Sequence, residues 1–316
     1  MGAYRAALAA VLVVAACGGN PFATPVDPVD PVDPTDPSAA VSVDPAVARD
    51  VKSATYRPGG GGSLTMEING VIIKPGDFTR APALDVDGYK AFTFQNRITQ
   101  RSYIALVANN ARGTLRSIAA SDGGQFNRHE GGAQFERLDV YVTRDIGTFS
   151  YAGTYAGIFA PGDATSDLPA GLVANRPYRT LGDALINASF GTKLVEGGVD
   201  NRWVLDATGA RVDMNLDGVV NDDDKLPAIT FPQMAITANG QFVGDVEFSA
   251  APDTPDQGSV IGTVNGVFSG QASDVAGAII INPLPGNRGI WEHGVFNLPR
   301  CDMAGASPLC TPVPSP

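Results

Sequence analysis

The chain has 316 residues, with 22 Lys and Arg against 33 Asp and Glu and a formal net charge of −11. With no basic block, that balance argues against nucleic acid, whose binding rests on cations neutralising phosphates, and against adsorption to an anionic membrane face. The 37 glycines, 8% aromatic residues and scarcity of long amphipathic patterns favour an all-β protein.

Arg5 gives a positive start, and Ala6 to Ala16 is an apolar run of secretory length, too short to span a bilayer. The run closes on Val14-Ala15-Ala16-Cys17, which resembles the lipobox of bacterial lipoproteins. That resemblance implies a signal peptide over residues 1–16 and acylation of Cys17 by palmitate-type chains. At ~0.8 kcal/mol per buried methylene, more than one chain gives lasting attachment. Gly18, Gly19 and Asn20 place no acidic residue beside Cys17, so the resemblance implies an outer-membrane, lipid-anchored location. The alternative is an ordinary cleaved signal with an incidental cysteine.

Residues 25–37 read PVDPVDPVDPTDP, with proline at every third position. Proline fixes φ and pushes its predecessor to extended geometry, which predicts a polyproline II spacer. Residues 17–59 are therefore a tether, lifting the folded part on the order of 40 to 80 Å from the lipid. The RPGGGG break at Arg57 to Gly62 marks the start of folded material. Within 60–143, Leu64 to Ile73 predicts a hairpin turning at Asn69-Gly70, and Tyr89 to Phe94 alternates as a strand. Arg101 to Val107 and Leu115 to Ala119 are further short strands. Gly131 to Val142 continues the alternation through Phe135, Leu138, Val140 and Val142. Together they make a small β-rich module.

Beyond it the pattern is more regular. Phe149, Tyr151, Tyr155 and Phe159 share one parity, and the glycines among them suit a curved sheet. Ala184 to Phe190 and Lys193 to Val199 read as strand, turn, strand. Ile229 to Ile236, Gln241 to Phe248, Ser259 to Phe268, Ala276 to Ile281 and Gly289 to Phe296 complete the series. Residues 147–298 thus hold about eight strands, the number that closes a small antiparallel barrel with a side-chain-filled interior.

Four stretches carry a resemblance. They are Tyr151 to Gly157, Ala188 to Gly197, Gly262 to Gly277 and Gly289 to Phe296. In this order they resemble the C-terminal barrel of the transferrin-binding protein B family of surface lipoproteins. The resemblance implies an eight-stranded barrel over 147–298, and by position alone it makes 60–143 handle-like. It also implies a surface lipoprotein that captures a protein or iron-related ligand through barrel loops and feeds a membrane transporter. The family's partner-binding residues lie on loops with no match here, so the ligand-binding residues are unknown. In the third stretch Phe268 should point inward, and Gly270 to Asp274 should form a turn lying across the barrel mouth.

Asp213-Met214-Asn215-Leu216-Asp217-Gly218-Val219-Val220-Asn221-Asp222-Asp223-Asp224 carries the most specific chemistry. Oxygen side chains fall at positions 1, 3, 5, 9 and 12 with glycine at 6, the spacing of an EF-hand or dockerin calcium loop. Ca²⁺ takes six to eight hard oxygens. Asp213, Asn215 and Asp217 would offer side chains, Val219 its carbonyl, Asn221 a direct or water-bridged contact, and Asp224 the closing carboxylate. Val220 should pack inward. Trp203 to Leu205 reads as a strand, and Lys225-Leu226-Pro227 stops any exit helix, so the loop is an insertion between barrel strands with structural calcium. A solvated turn without metal is the alternative.

Three cysteines occur. With Cys17 consumed by lipid, Cys301 and Cys310 remain as an even pair in an oxidising compartment, read as a disulfide in the tail 299–316. Two free thiols are the alternative. Zinc is disfavoured, because His129 and His293 are the only histidines. His129 reads as a loop residue and His293 as facing solvent or the barrel wall. Haem would need one of them, a methionine or a tyrosine as axial donor, so it is weakly supported. Without a G-x-S-x-G, H-E-x-x-H or P-loop motif, the reading is not an enzyme. A structural or adhesive surface lipoprotein without cargo is the competing function.

Overall fold

The computed structural model describes residues 40–69, 71–73, 77–125, 128–161, 168–249, 258–282 and 290–310. The segment expected to be a signal peptide, Cys17 and the PVDP repeat lie outside the described residues, as do Gly70 and Gly289. Among the described residues no helix is long and apolar enough to cross a membrane.

Regular structure starts earlier than the glycine run suggested. A one-turn helix α1 (Pro45–Ala48) is capped by the Asp44 carboxylate, which accepts from the Ala46 N–H. Strand β1 (Val51–Arg57) then pairs antiparallel with β2 (Ser63–Ile68). The RPGGGG break is therefore the connection inside a hairpin, not the boundary between tether and fold. Gly62 at φ 97° closes it, with Tyr56 packed so tightly against it that a Cβ would meet the phenol oxygen at 2.5 Å. Across Asn69, itself at φ 48°, β2 pairs with β3 (Val71–Ile73). These three strands make one small sheet in the order β1-β2-β3.

A second sheet has five antiparallel strands in sequence order. They are β4 (Thr79–Arg80), β5 (Lys90–Phe94), β6 (Tyr103–Asn109), β7 (Leu115–Ser121) and β8 (Gly131–Arg137). Strand β8 ends before the alternation does. Leu138, Val140 and Val142 are 57%, 74% and 50% exposed and belong to the connection into the barrel. The Val142 N–H donates to the Gly270 carbonyl, so this connection is paired with the barrel's own turn, not with the sheet.

The remaining eight strands close a barrel. They are β9 (Thr148–Ala160), β10 (Tyr178–Ser189), β11 (Leu194–Leu205), β12 (Ile229–Ala235), β13 (Gln241–Phe248), β14 (Val260–Phe268), β15 (Asp274–Ile281) and β16 (Trp291–Pro299). Each pairs antiparallel with its neighbour, and β16 returns to β9. Aromatic rings fill the interior. Phe268 points inward with ring centroids 5.4 Å from Tyr151, 5.1 Å from Phe190 and 5.5 Å from Phe242. Gly270 to Asp274 turns over this end, where the Tyr151 hydroxyl donates to the Ala272 carbonyl at 2.7 Å. Tyr155 reaches across to β16, where a Cβ on Gly294 would lie 1.9 Å from its hydroxyl, so glycine is what admits the ring.

Three layers result. Val51, Tyr56, Leu64 and Met66 of the small sheet pack with Phe92, Val107 and Ile118 of the second sheet. The opposite face of the second sheet, through Leu106, Leu115, Ala119 and Phe135, covers the outside of the barrel at Ala156, Ile158, Ala278, Ile280 and Val295. Strand β15 is consequently buried at every position. Its run of DVAGAIII carries the continuous apolar pattern of a strand enclosed on both faces.

Candidate functional site: the acidic loop, the terminal crosslink and the sheet–barrel seam

The acidic loop leaves β11 and curls onto itself through its own side chains. Both carboxylate oxygens of Asp213 accept backbone N–H groups, from Leu216 at 2.6 Å and Gly218 at 2.8 Å. Asn215 Oδ1 accepts from Asp217 N–H, and Asp217 Oδ1 accepts from Val219 N–H. Asp224 closes the ring, its two oxygens accepting from Met214 at 2.8 Å and Asn221 at 2.9 Å. Asn221 in turn accepts from Asp223 N–H and caps a single 3₁₀ turn over Asp222–Asp224. Those backbone donors hold the Asp224 carboxyl below its ordinary value, the Asn221 N–H contributing most. Gly218 takes φ 86°, the left-handed geometry the sixth position requires.

Every side-chain donor named from the sequence is an oxygen held close to the loop backbone, which is the chemistry a hard divalent cation selects. Among the described residues no three acidic, histidine or cysteine side chains converge as a metal group. Val220 does not pack inward; it is 45% exposed, and Val219 is 59% exposed. The loop is held instead by Val212, Met214 and Leu226, which pack on Phe159, Tyr178, Val204 and Ile290 at the end of the barrel next to Arg202 and Glu292. The calcium-loop pattern misplaced Val220 because the loop's anchoring side chains lie at its two ends, where it leaves and rejoins the strands.

Cys301 and Cys310 are joined by a disulfide with Cα atoms 5.3 Å apart. The crosslinked tail is tied to the barrel mouth. The Cys301 N–H donates to the Ser150 carbonyl at 2.8 Å, and the Arg300 guanidinium lies 4.2 Å above the Phe149 ring.

Both histidines sit at the seam between the second sheet and the barrel. His293 lies on β16 and is fully buried, so it does not face solvent; it is on the barrel wall, against His129. His129, in the loop before β8, brings its Nε2 to 3.2 Å from the His293 Nε2 and to 3.1 Å from the Ser121 hydroxyl. Trp291 stacks on the other side of His129 at 5.2 Å, and the Arg49 guanidinium lies 3.8 Å over Trp291. Neither Nδ1 has a partner. Burial pushes His129 down to about 3, with Arg49 and Arg101 adding to the shift. His293 is held well below its ordinary value by burial, then by His129 and Arg49. Both rings are neutral at physiological pH.

A charged cluster that the sequence reading missed lies inside the barrel. Glu292 is 2% exposed and accepts from the Tyr155 hydroxyl at 2.7 Å and the Thr180 hydroxyl at 2.8 Å, while Arg202 donates to its other oxygen. Arg202 also donates to the Pro227 carbonyl at 2.6 Å. Glu292 shares parity with the inward Phe296, so strand alternation was a signal for it. Arg202 gave no such signal. Asn201 takes φ 49° and β11 carries an extra residue opposite Gly182, which turns Arg202 inward and sends Trp203 to the outer face.

No family model matches the chain, and no curated protein matches it. Among solved structures it is similar to a transferrin-binding protein B from Haemophilus parasuis Hp5, at 16% identity over 75% of this chain and 40% of that one, with a TM-score of 0.39. It is also similar to a protein described as a surface lipoprotein, at 12% identity over 79% of this chain and 97% of that one, with a TM-score of 0.39. A third is the N-lobe of lactoferrin-binding protein B from Moraxella bovis, at 12% identity over 68% and 80% of the two chains, with a TM-score of 0.29. The chain matches about 40% of the length of the transferrin-binding protein from Haemophilus parasuis.

Proposed function

We propose that this chain is a lipid-anchored outer-membrane lipoprotein that binds a protein or iron-related ligand through barrel loops and passes it to a membrane transporter. The observation that carries the reading is the packed barrel. Tyr151, Phe190, Phe231, Phe242, Phe268 and Phe296 occupy its interior, and the recess beside Arg202 and Glu292 holds about 30 Å³, room for one water. A barrel filled in this way conducts nothing and stores no cargo within, so recognition falls to its loops and outer surface. The lipobox-like ending at Cys17 and the proline spacer support presentation at a distance from the membrane. The loop over 213–224 would contribute as a structural calcium site, with Asp213, Asn215, Asp217, Val219, Asn221 and Asp224 as ligands, by fixing the long connection between β11 and β12. The reading is of a binding protein and not of an enzyme, supported by a sequence without a nucleophile motif.

Affinity capture with the acyl-free protein (residues 18–316), with and without calcium, tests this. Saturable retention of one protein from host or environmental fluid is expected. Recovery of nothing specific would favour a structural or adhesive lipoprotein. In parallel, Cys17→Ser should release the protein from membranes, and continued palmitate labelling of that variant would contradict the anchor.

A further inference from the structure

A cleft of about 310 Å³ opens between the second sheet and the barrel wall, well away from the acidic loop's ligand oxygens and from the barrel interior. Its sheet side is formed by Leu84, Ser102 and Ile104, and its barrel side by Arg176, Arg179 and Leu205. The volume is at the lower end of the range for pockets that enclose small molecules.

The charges in it are unusual for so acidic a protein. Arg179, on β10, is only 1% exposed, and its guanidinium donates to two backbone carbonyls, Asp85 at 3.5 Å and Asp206. Among the described residues no carboxylate lies within ion-pair distance of it. Asp206, which lines the cleft, and Asp85 act on it only from beyond contact distance, and their carboxylates are hydrogen-bonded to other groups. Asp85 pairs with Arg80 at 2.5 Å, and Asp206 Oδ1 accepts from the Thr208 N–H, the Thr208 hydroxyl and the Ala210 N–H. Arg176 is exposed, forms no ion pair among the described residues, and has its guanidinium 5.7 Å from the Tyr178 ring centroid. Gln125 also lines the cleft, with its Oε1 accepting from the Ser102 N–H.

A buried cation that no carboxylate touches is incompletely compensated, and a guanidinium, with five N–H groups in a fixed fork, matches a carboxylate. We propose that this cleft binds a small organic carboxylate, its anionic end between Arg176 and Arg179 and its apolar body against Leu84, Ile104 and Leu205. The site goes beyond the capture of a protein ligand by barrel loops and stands or falls separately from it.

Isothermal titration of the full chain in detergent with benzoate, hexanoate and citrate tests the assignment, with benzamide as the uncharged match for benzoate and sulfate as the bare anion. At least one carboxylate should bind with a Kd of about 1 mM or tighter. Benzamide and sulfate should each bind at least about tenfold more weakly, since one lacks the charge and the other the body. Arg179 is buried and its replacement could unfold the seam, so two peripheral variants carry the test. Arg176→Gln removes a charge, and Ala207→Phe fills the mouth without touching one; each should weaken binding by about tenfold or more. Binding by none of the three carboxylates, equal binding of benzamide or sulfate, or affinities unchanged in both variants would overturn the proposal.

Discussion

The Nε2 atoms of His129 and His293 lie 3.2 Å apart, joining the loop before β8 to the last barrel strand across 164 positions of sequence. Such a contact needs one ring nitrogen to donate and the other to accept, so it cannot survive with both rings protonated. The surroundings reinforce this. Arg49 and Arg101 bring positive charge, while Glu130 and Asp122 are engaged by Arg101 and Asp50 by the Gly131 N–H.

Acid should therefore loosen the seam. Both histidines have folded-state values below the ordinary 6.5, so the unfolded chain binds more protons once pH falls below that value. Stability is independent of these groups above about pH 6.5 and declines below it, a trend that continues toward about 3 for His129. The expected loss from His129 is roughly 2 kcal/mol between pH 6.5 and 5, and His293 adds to it in the same direction. Urea unfolding at a series of pH values checks it against the double variant His129→Asn, His293→Asn, whose slope over that interval should be flatter. Equal slopes would show that the pair is not the titrating element.

Removing one partner of the internal ion pair should be more damaging than removing both. Arg202→Met leaves Glu292 charged among apolar neighbours, with only the Tyr155 and Thr180 hydroxyls, and should cost about 3–5 kcal/mol. Adding Glu292→Gln to that variant should recover part of the loss. Denaturant midpoints of the two single variants and the double variant form the cycle that decides it.

The terminal crosslink closes a short loop, for which chain entropy gives about 2–3 kcal/mol. Cys301→Ser with Cys310→Ser should lower the melting temperature accordingly. Thiol titration of the acyl-free wild type under denaturing conditions without reductant should find no free sulfhydryl.

If the acidic loop holds calcium, chelation should lower the melting temperature and added calcium should restore it. A site at one hundredfold excess over its Kd contributes about 2.7 kcal/mol. Asp213→Ala should abolish the calcium response while leaving the β-sheet circular dichroism intact. A wild-type melting curve indifferent to both chelator and calcium would identify the loop as a metal-free turn, held by the amide contacts of Asp213 and Asp224 alone.

The barrel was legible in the sequence because its inward rings recur with a strict period of two, from Phe149 and Tyr151 to Phe268 and Phe296. Most predicted strand ends fall within a few residues of the observed ones, but β10 starts six residues before the predicted Ala184 and β11 runs six past the predicted Val199. What escaped notice depended on breaks in that period. Strand β1 was hidden because V-K-S-A-T-Y-R is polar at its exposed positions and precedes a glycine run that looks like a boundary. The alternation through Leu138, Val140 and Val142 misled, since a segment can alternate without having a sheet to join. At Asn201 one left-handed residue reversed the parity of β11, placing a charge inside and Trp203 outside. The histidine contact and the burial of Arg179 arise from tertiary packing between distant segments, which no local pattern records.

Strand β15 has no solvent-facing side, since one face lines the aromatic interior and the other lies under the second sheet. A fragment cut near residue 147 to isolate the barrel would expose Ala156, Ile158, Val267, Ala278, Ile280 and Val295 to water as a continuous greasy strip. Such a truncation should associate with itself or precipitate. Useful shortened versions of this protein must keep the second sheet together with the segment from Val41 that packs on the same seam.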